Sequence, residues 1–475
     1  MANKTKIVAT IGPSSSSKAV LRKMISAGMN VARLNFSHGE YTEHEKVIQH
    51  LRALSGQTGK PVGILLDLQG PKIRTGKLEQ GKPVQLKRNA TVQITTRDVD
   101  GGPGGLISTT YKRLPKDVGE GDTVLIDDGM IELRVISVAK DTVTCKVIQG
   151  GVLKEHKGIN LPGIPVSVPS LTEKDKKDLD FGIRAGVDYF ALSFVRKAHD
   201  INHIKAVLEE HGSEIPVIAK IEKPEAVSNL DKILEVADGV MIARGDLGVE
   251  MKPEEVPTIQ KRIIRKAIAA NKPVITATQM LETMIEHPVP TRAEASDVAN
   301  AIIDGTDAIM LSGETAVGRY PVKAVKMMSR IAAVAEGSPF MHYSLPFKRD
   351  PKDLVAHAVS QSAVDILQKL NAKAIIAFSI SGKTSKLISK QRPAKPVFSF
   401  SPSTMVYNRL SLIWGITPFL ISPISDAKKI IQAGEDILLE RRFLRKEDLI
   451  IIVTGLALKK GSTNMIKIHR VGHDD

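Results

Sequence analysis

Apolar residues in this chain gather into short unbroken runs, and between the runs they recur every three or four positions. Eight runs stand out: "KIVATIG" (6–12), "NVARLNFSH" (30–38), "VGILLDLQ" (62–69), "VDYFALSFV" (187–195), "IPVIAKIE" (215–222), "GVMIARGD" (239–246), "KPVITATQM" (272–280) and "DAIMLSGE" (307–314). A strand covered on both faces shows no polar alternation, whereas "KAVLRKMISAG" and "IQKRIIRKAIAANK" keep the period of a helix with one buried face. Strands and helices in strict alternation predict a parallel sheet, and eight units predict a closed (β/α)8 barrel. The series breaks after the third run. Residues 71–167 switch to short alternating segments such as "TVQITT", "TVLIDD" and "IELRVISV" between Gly, Asp and Pro turns, the pattern of a small inserted β module. "GINLPGIPVSVPS" (158–170) reads as its return linker. After "PFMHYSLPFKRDPKD" a helix, "AIIAFSI", "PVFSFSP" and "LIIIVTG" predict a separate open α/β unit. The expected fold is therefore α/β: a barrel from residues 1–70 and 168–340, a β lid at 71–167, and a C-terminal α/β domain at 341–475. No internal repeat is expected beyond the βα alternation.

Polar residues cluster where the runs end, the place where barrels of this kind carry their chemistry. Residues two apart in a strand share a face, which aligns Arg33, Asn35 and Ser37, then Asp67 with Gln69, and Lys220 with Glu222. Asp246, Thr278, Ser312 and Glu314 close the sixth to eighth runs. Taken singly, each is an ordinary solvated strand end or half of an ion pair. Their convergence on one mouth is what points to function. Glu222 and Asp246 suffice to hold one hard cation, such as Mg²⁺, that keeps waters and takes other ligands from a substrate. Arg33 suits a phosphate, and Lys220 an oxygen that becomes anionic. Gly245 lets a ligand approach the backbone, and the N–H groups of the next helix can receive a carboxylate. A substrate with both phosphate and carboxylate is implied. Under a lid that excludes water, phosphoryl transfer follows, since it needs positioning and charge neutralisation above all.

Charge and composition narrow the partners. The chain has 475 residues and a net charge of +15, with 4% aromatic residues. No basic block is interleaved with aromatics, which argues against nucleic acid and for small anions. No apolar run approaches the ~20 residues of a membrane span, and the first residues lack a signal peptide's apolar core. One cysteine, Cys145, excludes a disulfide framework, so a cytoplasmic location is expected.

The segments "TKIVATIGPSS", "NVARLNFSHG", "LLDLQGPKIRTG", "KGINLPG", "LTEKDKKDLDFG", "IAKIEKPEAV", "MIARGDLGVE", "ITATQMLETMI", "PTRAEASDVANAIIDGTDAIMLSGETAVGRYP" and "GSTNMIKI" together resemble the pyruvate kinase family, in family order over residues 5–468. The resemblance implies transfer of the phosphoryl group of phosphoenolpyruvate to ADP, with Mg²⁺ (Mn²⁺ as a substitute), in a homotetramer without an extra C-terminal phosphotransfer-like domain. It assigns Arg33 to the substrate phosphate, Glu222 and Asp246 to the metal, and Lys220 to the transferring group and the enolate. Gly245, Asp246 and Thr278 are assigned to the carboxylate, with Thr278 on the side where the enolate carbon is protonated. Asn35, Phe36, Ser37, His38, Arg74 and Lys157 are assigned to the nucleotide. In many relatives the positions of Asn35, Ser37, Asp67 and the Leu68 carbonyl ligate K⁺, and that of Lys72 is a glutamate. Lysine at 72 brings its own positive charge, so activity is expected to need Mg²⁺ but not K⁺. The alternative, a Mg²⁺-dependent barrel lyase acting on an oxo-acid, has no use for Arg74, Lys157 or a closing lid.

"AFSISGKTSKL" (377–387) sets a Ser/Gly/Thr-rich turn between a strand and a helix. It is not a P-loop, because the first glycine of that motif would fall at Ala377, inside the strand. The resemblance implies a phosphorylated effector there, a sugar phosphate or AMP, on Ser379, Ser381, Lys383 and Thr384, the plain alternative being a Ser/Thr helix cap. The second effector segment would be "TGLALKKGSTN" (454–464), which lacks the Trp and Arg of fructose-bisphosphate-regulated animal relatives and so leaves the effector open.

Overall fold

The computed structural model describes residues 3–102, 104–341, 353–424, 426–455 and 463–473. The eight runs form strands β1 (Lys6–Ile11), β2 (Val31–Asn35), β3 (Gly63–Asp67), β4 (Tyr189–Leu192), β5 (Val217–Ile221), β6 (Gly239–Ala243), β7 (Val274–Ala277) and β8 (Ala308–Leu311). They pair in parallel in chain order and close β8 onto β1. Val8, Val31, Leu65, Tyr189, Ile218, Met241, Ile275 and Met310 fill the interior, so the barrel is a packed core rather than a pore. The outward faces meet a ring of helices whose apolar stripe the sequence supplies; Val256–Ala269, for example, buries Ile259, Ile263, Ile264 and Ala267. The helix Glu173–Ala185 lies so close to the sheet that a Cβ on Gly182 would sit 2.6 Å from a ring carbon of Phe190.

The barrel floor carries a hydrogen-bonding pattern that follows the βα alternation. The residue before each even strand caps the first or second N–H of the strand preceding it. Asn30 Oδ1 accepts from Ile7 N (2.9 Å), Asp188 Oδ2 from Ile64 N (2.7 Å), Asp238 Oδ2 from Val217 N (2.9 Å) and Asp307 Oδ2 from Val274 N (2.8 Å). Strand ends buried beneath a barrel need such acceptors. The three aspartates also carry cations: Arg52 on Asp188 (2.9 Å), Lys205 on Asp238 (2.9 Å), and Lys390 (2.7 Å) with Arg392 (3.0 Å) on Asp307.

Between β3 and β4 the chain builds a six-stranded sheet in the order Ile159–Asn160, Thr123–Ile126, Ile131–Val138, Thr142–Gln149, Thr91–Thr95, Leu106–Ser108. A two-stranded ribbon, Val84–Leu86 with Gly151–Leu153, accompanies it. This module has its own core, including Val92, Leu133 and Cys145, and one helical turn, Leu114–Asp117, where only strands are expected. Beyond the barrel, five strands run in the order Ile416–Leu420, Val397–Ser401, Ala374–Phe378, Leu449–Gly455, Thr463–Arg470, the last antiparallel. This unit closes the barrel floor. Leu412 enters the barrel's interior cluster, Tyr189 Oη donates to Arg409 O (2.7 Å) and Lys6 Nζ to Ile416 O (2.7 Å).

Candidate active site

At the opposite end, β2, β3 and β5 turn charged side chains into one mouth. Arg33 forks onto Asp67 Oδ2 through Nε (2.7 Å) and Nη2 (2.6 Å) and donates to Thr10 Oγ1 (2.9 Å). Lys220 Nζ lies 2.7 Å from Glu222 Oε1 and 3.3 Å from Asp67 Oδ1. Burial works to lower the Lys220 pKa, but the carboxylates of Asp67, Glu222 and Asp246 overcome it and hold the ammonium charged well above its ordinary range. Two residues that sequence reasoning passed over complete this frame. Ser193 Oγ accepts from Lys220 Nζ (2.8 Å) and donates to Leu68 O (2.7 Å), and Phe194, at φ +56°, gives its N–H to Glu222 Oε2 (2.9 Å).

Asp246 and Glu314 do not sit on strands, as the two-residue period had suggested. β6 stops at Ala243, and Asp246 lies in the first turn of the short helix Arg244–Glu250. Burial, then the charge of Glu222, pushes the Asp246 carboxyl up to about 6. Its oxygens have no hydrogen-bond or ion-pair partner among the described residues. Glu314, in the turn Gly313–Ala316, is buried and accepts from Ser312 N (2.7 Å) and Leu281 N (3.1 Å). It holds two loops together and does not face the mouth as a free carboxylate.

Thr278 follows the end of β7 at φ +68°, with Gln279 at +54°. A β-branched residue in the left-handed region is strained and persists only when its surroundings hold it there. Here the holder is Arg244, again not foreseen. Its guanidinium donates to Thr278 O (Nη2, 2.8 Å) and Gln279 O (Nη2, 3.2 Å) and is itself anchored on Asp297 Oδ1 (2.7 Å). Gly245 N donates to Thr278 Oγ1 (2.7 Å), so Gly245, Asp246 and Thr278 form one edge.

A cavity of about 440 Å³ between the β module and the barrel is lined by His38, Lys72, Arg74, Lys157, Phe194 and Asp246, among others. A second, of about 940 Å³, opens beside Gly12, Asn35, His38 and His44, so His38 serves both. Lys157 Nζ pairs with Asp127 Oδ1 (2.8 Å). Phe36 lines neither cavity: its ring is stacked on His44 (4.2 Å), its N–H goes to Asp67 O (3.0 Å), and its carbonyl accepts from Lys174. Three of the four groups expected to take a monovalent cation already have donors. Asp67 is held by Arg33 and Lys220, Leu68 O by Ser193, and Asn35 Oδ1 by Ser37 N (3.1 Å). Lys72 has no ion pair among the described residues; partial desolvation by the protein around it, then the charge of Lys220, lowers its pKa, while Asp246 and Asp67 pull the other way.

The pyruvate kinase barrel-domain family model matches residues 2–325, and the pyruvate kinase alpha/beta-domain model matches residues 357–469. The chain belongs to the pyruvate kinase family. A pyruvate kinase of Sporosarcina psychrophila is 47% identical over 99% of this chain and 80% of its own length. One of Corynebacterium glutamicum is 45% identical over 100% of this chain and 99% of its own. A crystal structure of a pyruvate kinase from Cryptosporidium parvum superposes with a TM-score of 0.92 at 40% identity, covering 99% of this chain and 96% of that one. The protein is thus a phosphotransferase, and the barrel-lyase alternative is set aside.

In this pyruvate kinase family member the loop 379–384 follows the strand Ala374–Phe378 and opens the helix Lys383–Lys390. The N-cap is Gly382, at φ +75° and without a side-chain cap bond, so the loop's serines and threonine are not spent as a cap. Ser379 and Thr384 are buried; Lys383 pairs with Asp353, and the Thr384 hydroxyl meets that of Thr463. Residues 456–462 of the expected second effector segment lie outside the described residues.

Proposed function

We propose that the chain transfers the phosphoryl group of phosphoenolpyruvate to ADP at the mouth of β5, β6 and β7, with Glu222 and Asp246 holding Mg²⁺. One observation carries this: Asp246 lines the cavity under the β module with no hydrogen-bond or ion-pair partner among the described residues, at the mouth where Glu222 holds Lys220 at 2.7 Å. Two neighbouring carboxylates of like charge, one buried and one open to the mouth, are a site awaiting a cation. No cluster of three or more His, Cys, Asp or Glu side chains suited to a metal occurs among the described residues, so the ion would take two protein ligands and the rest from substrate and water. When bound, it supplies neutralisation of the charge on the transferring group.

The remaining work falls to the protein. The bond between phosphorus and the enol oxygen breaks, one to the terminal oxygen of ADP forms, and the enolate gains a proton at carbon. Lys220, kept charged by its carboxylate neighbours, faces the oxygen that becomes anionic. Arg33 steers the phosphate. Gly245 and Thr278 seat the carboxylate, with Thr278 on the side where the enolate carbon is protonated. Asn35, Ser37, His38, Arg74 and Lys157 approach the nucleotide, and the β module above them excludes water.

Finer readings belong with this one. Lys72 stands where a monovalent cation's field is needed, so turnover requires Mg²⁺ but not K⁺. A phosphorylated effector binds the 379–384 loop. The exposed apolar Val334 (77%) and Phe340 (70%) suit the subunit contacts of a homotetramer. No described helix is long and apolar enough to cross a membrane, in keeping with a cytoplasmic enzyme. The test is pyruvate formation from phosphoenolpyruvate with ADP, ADP-free, and with a chelator. Dependence on both ADP and divalent cation is expected, and pyruvate formed without ADP would overturn the proposal.

A further inference from the structure

The return from the β module ends at Thr172, and the helix Glu173–Ala185 starts there with a capping box between Thr172 and Asp175. The first two turns of this helix do more than cap it. Asp175, wholly buried, accepts from Gly70 N (3.1 Å) through one oxygen and from Thr172 N (2.8 Å) and Thr172 Oγ1 (2.6 Å) through the other. Gly70 is where the chain leaves for the β module, at φ +65°, so one carboxylate ties the module's exit to its return. One residue earlier, Lys174 Nζ donates to Phe36 O (2.8 Å) and to Asp178 Oδ2 (2.7 Å), and Asp178, also wholly buried, accepts from Tyr41 Oη (2.6 Å). The segment Asn35–Tyr41 is thereby pinned at both ends. Its middle is held by His44, whose Nε2 lies 3.0 Å from His38 O.

We infer that Lys174 is a positioning residue for the nucleotide and that Asp175 couples the same helix to the hinge of the β module. The inference rests on the reading that Asn35–His38 approach the nucleotide. Lys174 itself touches a backbone carbonyl and a carboxylate, so it acts through the loop it holds. A charge-assisted bond to a loop carbonyl fixes the loop's geometry more firmly than a neutral one does, and the helix that supplies it is moored to both ends of the β module. Placement of the module and order in the nucleotide loop are therefore linked through two adjacent side chains.

The measurement is steady-state kinetics of the full-length protein with each substrate varied in turn, on Lys174→Met, Lys174→Arg, Tyr41→Phe and His38→Ala. Lys174→Met is expected to raise KM for ADP about tenfold, with KM for phosphoenolpyruvate within about twofold, the loss of one charged hydrogen bond. Lys174→Arg restores most of the affinity. Tyr41→Phe gives a smaller rise that is not additive with Lys174→Met, since both act through Asp178. A general loss of structure would move both KM values together and leave the arginine variant no better. The inference falls if Lys174→Met leaves KM for ADP within twofold while His38→Ala raises it. If His38→Ala also leaves it unchanged, the nucleotide reading of the loop falls instead, and the inference with it.

Discussion

The two ends of the barrel are built from the same residue types and put them to opposite uses. At the mouth Asp67 and Glu222 are 1% and 2% exposed, and at the floor Asp188 and Asp307 are 2% and 1% exposed, so burial does not distinguish them. What distinguishes them is where the oxygens point. Each floor aspartate takes both a strand N–H and a cation from its own chain, on the same oxygen, Oδ2. The mouth gathers Asp67, Glu222, Lys220 and Arg33 onto one another and leaves Asp246 without a partner among the described residues. A carboxylate saturated by its own chain serves the fold; one left open beside another charge is available to a ligand.

Removing charge at each end is the sharpest way to break this contrast. Glu222→Gln is expected to cut turnover by about 10³ or more while leaving the melting temperature nearly unchanged, as for loss of a metal ligand; activity near that of the parent would place the ion elsewhere. Lys220→Met should lower kcat by about 10²–10³, the scale for a preorganised transition-state charge, and an effect confined to KM would contradict that role. Asp307→Asn keeps the acceptor for Val274 N but strands Lys390 and Arg392. It should cost about 3 kcal/mol in urea unfolding, with kcat per folded molecule retained; a loss of kcat at full stability would erase the difference between floor and mouth.

The smallest effects come from pH. With Asp246 raised to about 6, proton and Mg²⁺ compete, so the Mg²⁺ needed for half-activity should rise about tenfold per unit below pH 6. The signs for stability are opposite at Asp246 and Asp307. A raised carboxyl is a penalty above its folded pKa that is relieved as pH falls toward 4, whereas Asp307 is held below its ordinary value. Burial opposes that lowering, but Lys390 and Arg392 prevail, so Asp307's contribution is present above pH 4 and lost only in stronger acid. Urea midpoints of the metal-free protein between pH 7 and 3, with Asp246→Asn and Asp307→Asn as references, separate the two.

Much of this was legible from residue order alone, and the rest was hidden for definite reasons. The strands announced themselves because both faces are buried, and Lys220, Glu222 and Arg33 were visible because they lie on or beside those strands. Asp246 and Glu314 were placed on strands because the two-residue period was carried past Ala243 and Leu311, where the chain turns helical. Ser193 and Arg244 escaped because each works through atoms distant in sequence. Ser193 meets Lys220 27 positions on, and Arg244 meets the Thr278 carbonyl 34 positions on. The floor aspartates look like turn residues before a strand, and only the pairing register shows that each one caps the strand beside it.

Asp307 also sets a timetable. Its counter-ions belong to the C-terminal unit, and Lys390 lies 83 residues further along the chain. At ~5–20 residues per second a ribosome needs roughly 4–17 s to add that stretch. Throughout that interval β8 can be complete and paired while the carboxylate at its foot has no cation and the socket for Leu412 is empty. The barrel of the nascent chain therefore finishes closing only after the following unit has emerged, and a chaperone that shields this end would act in that window.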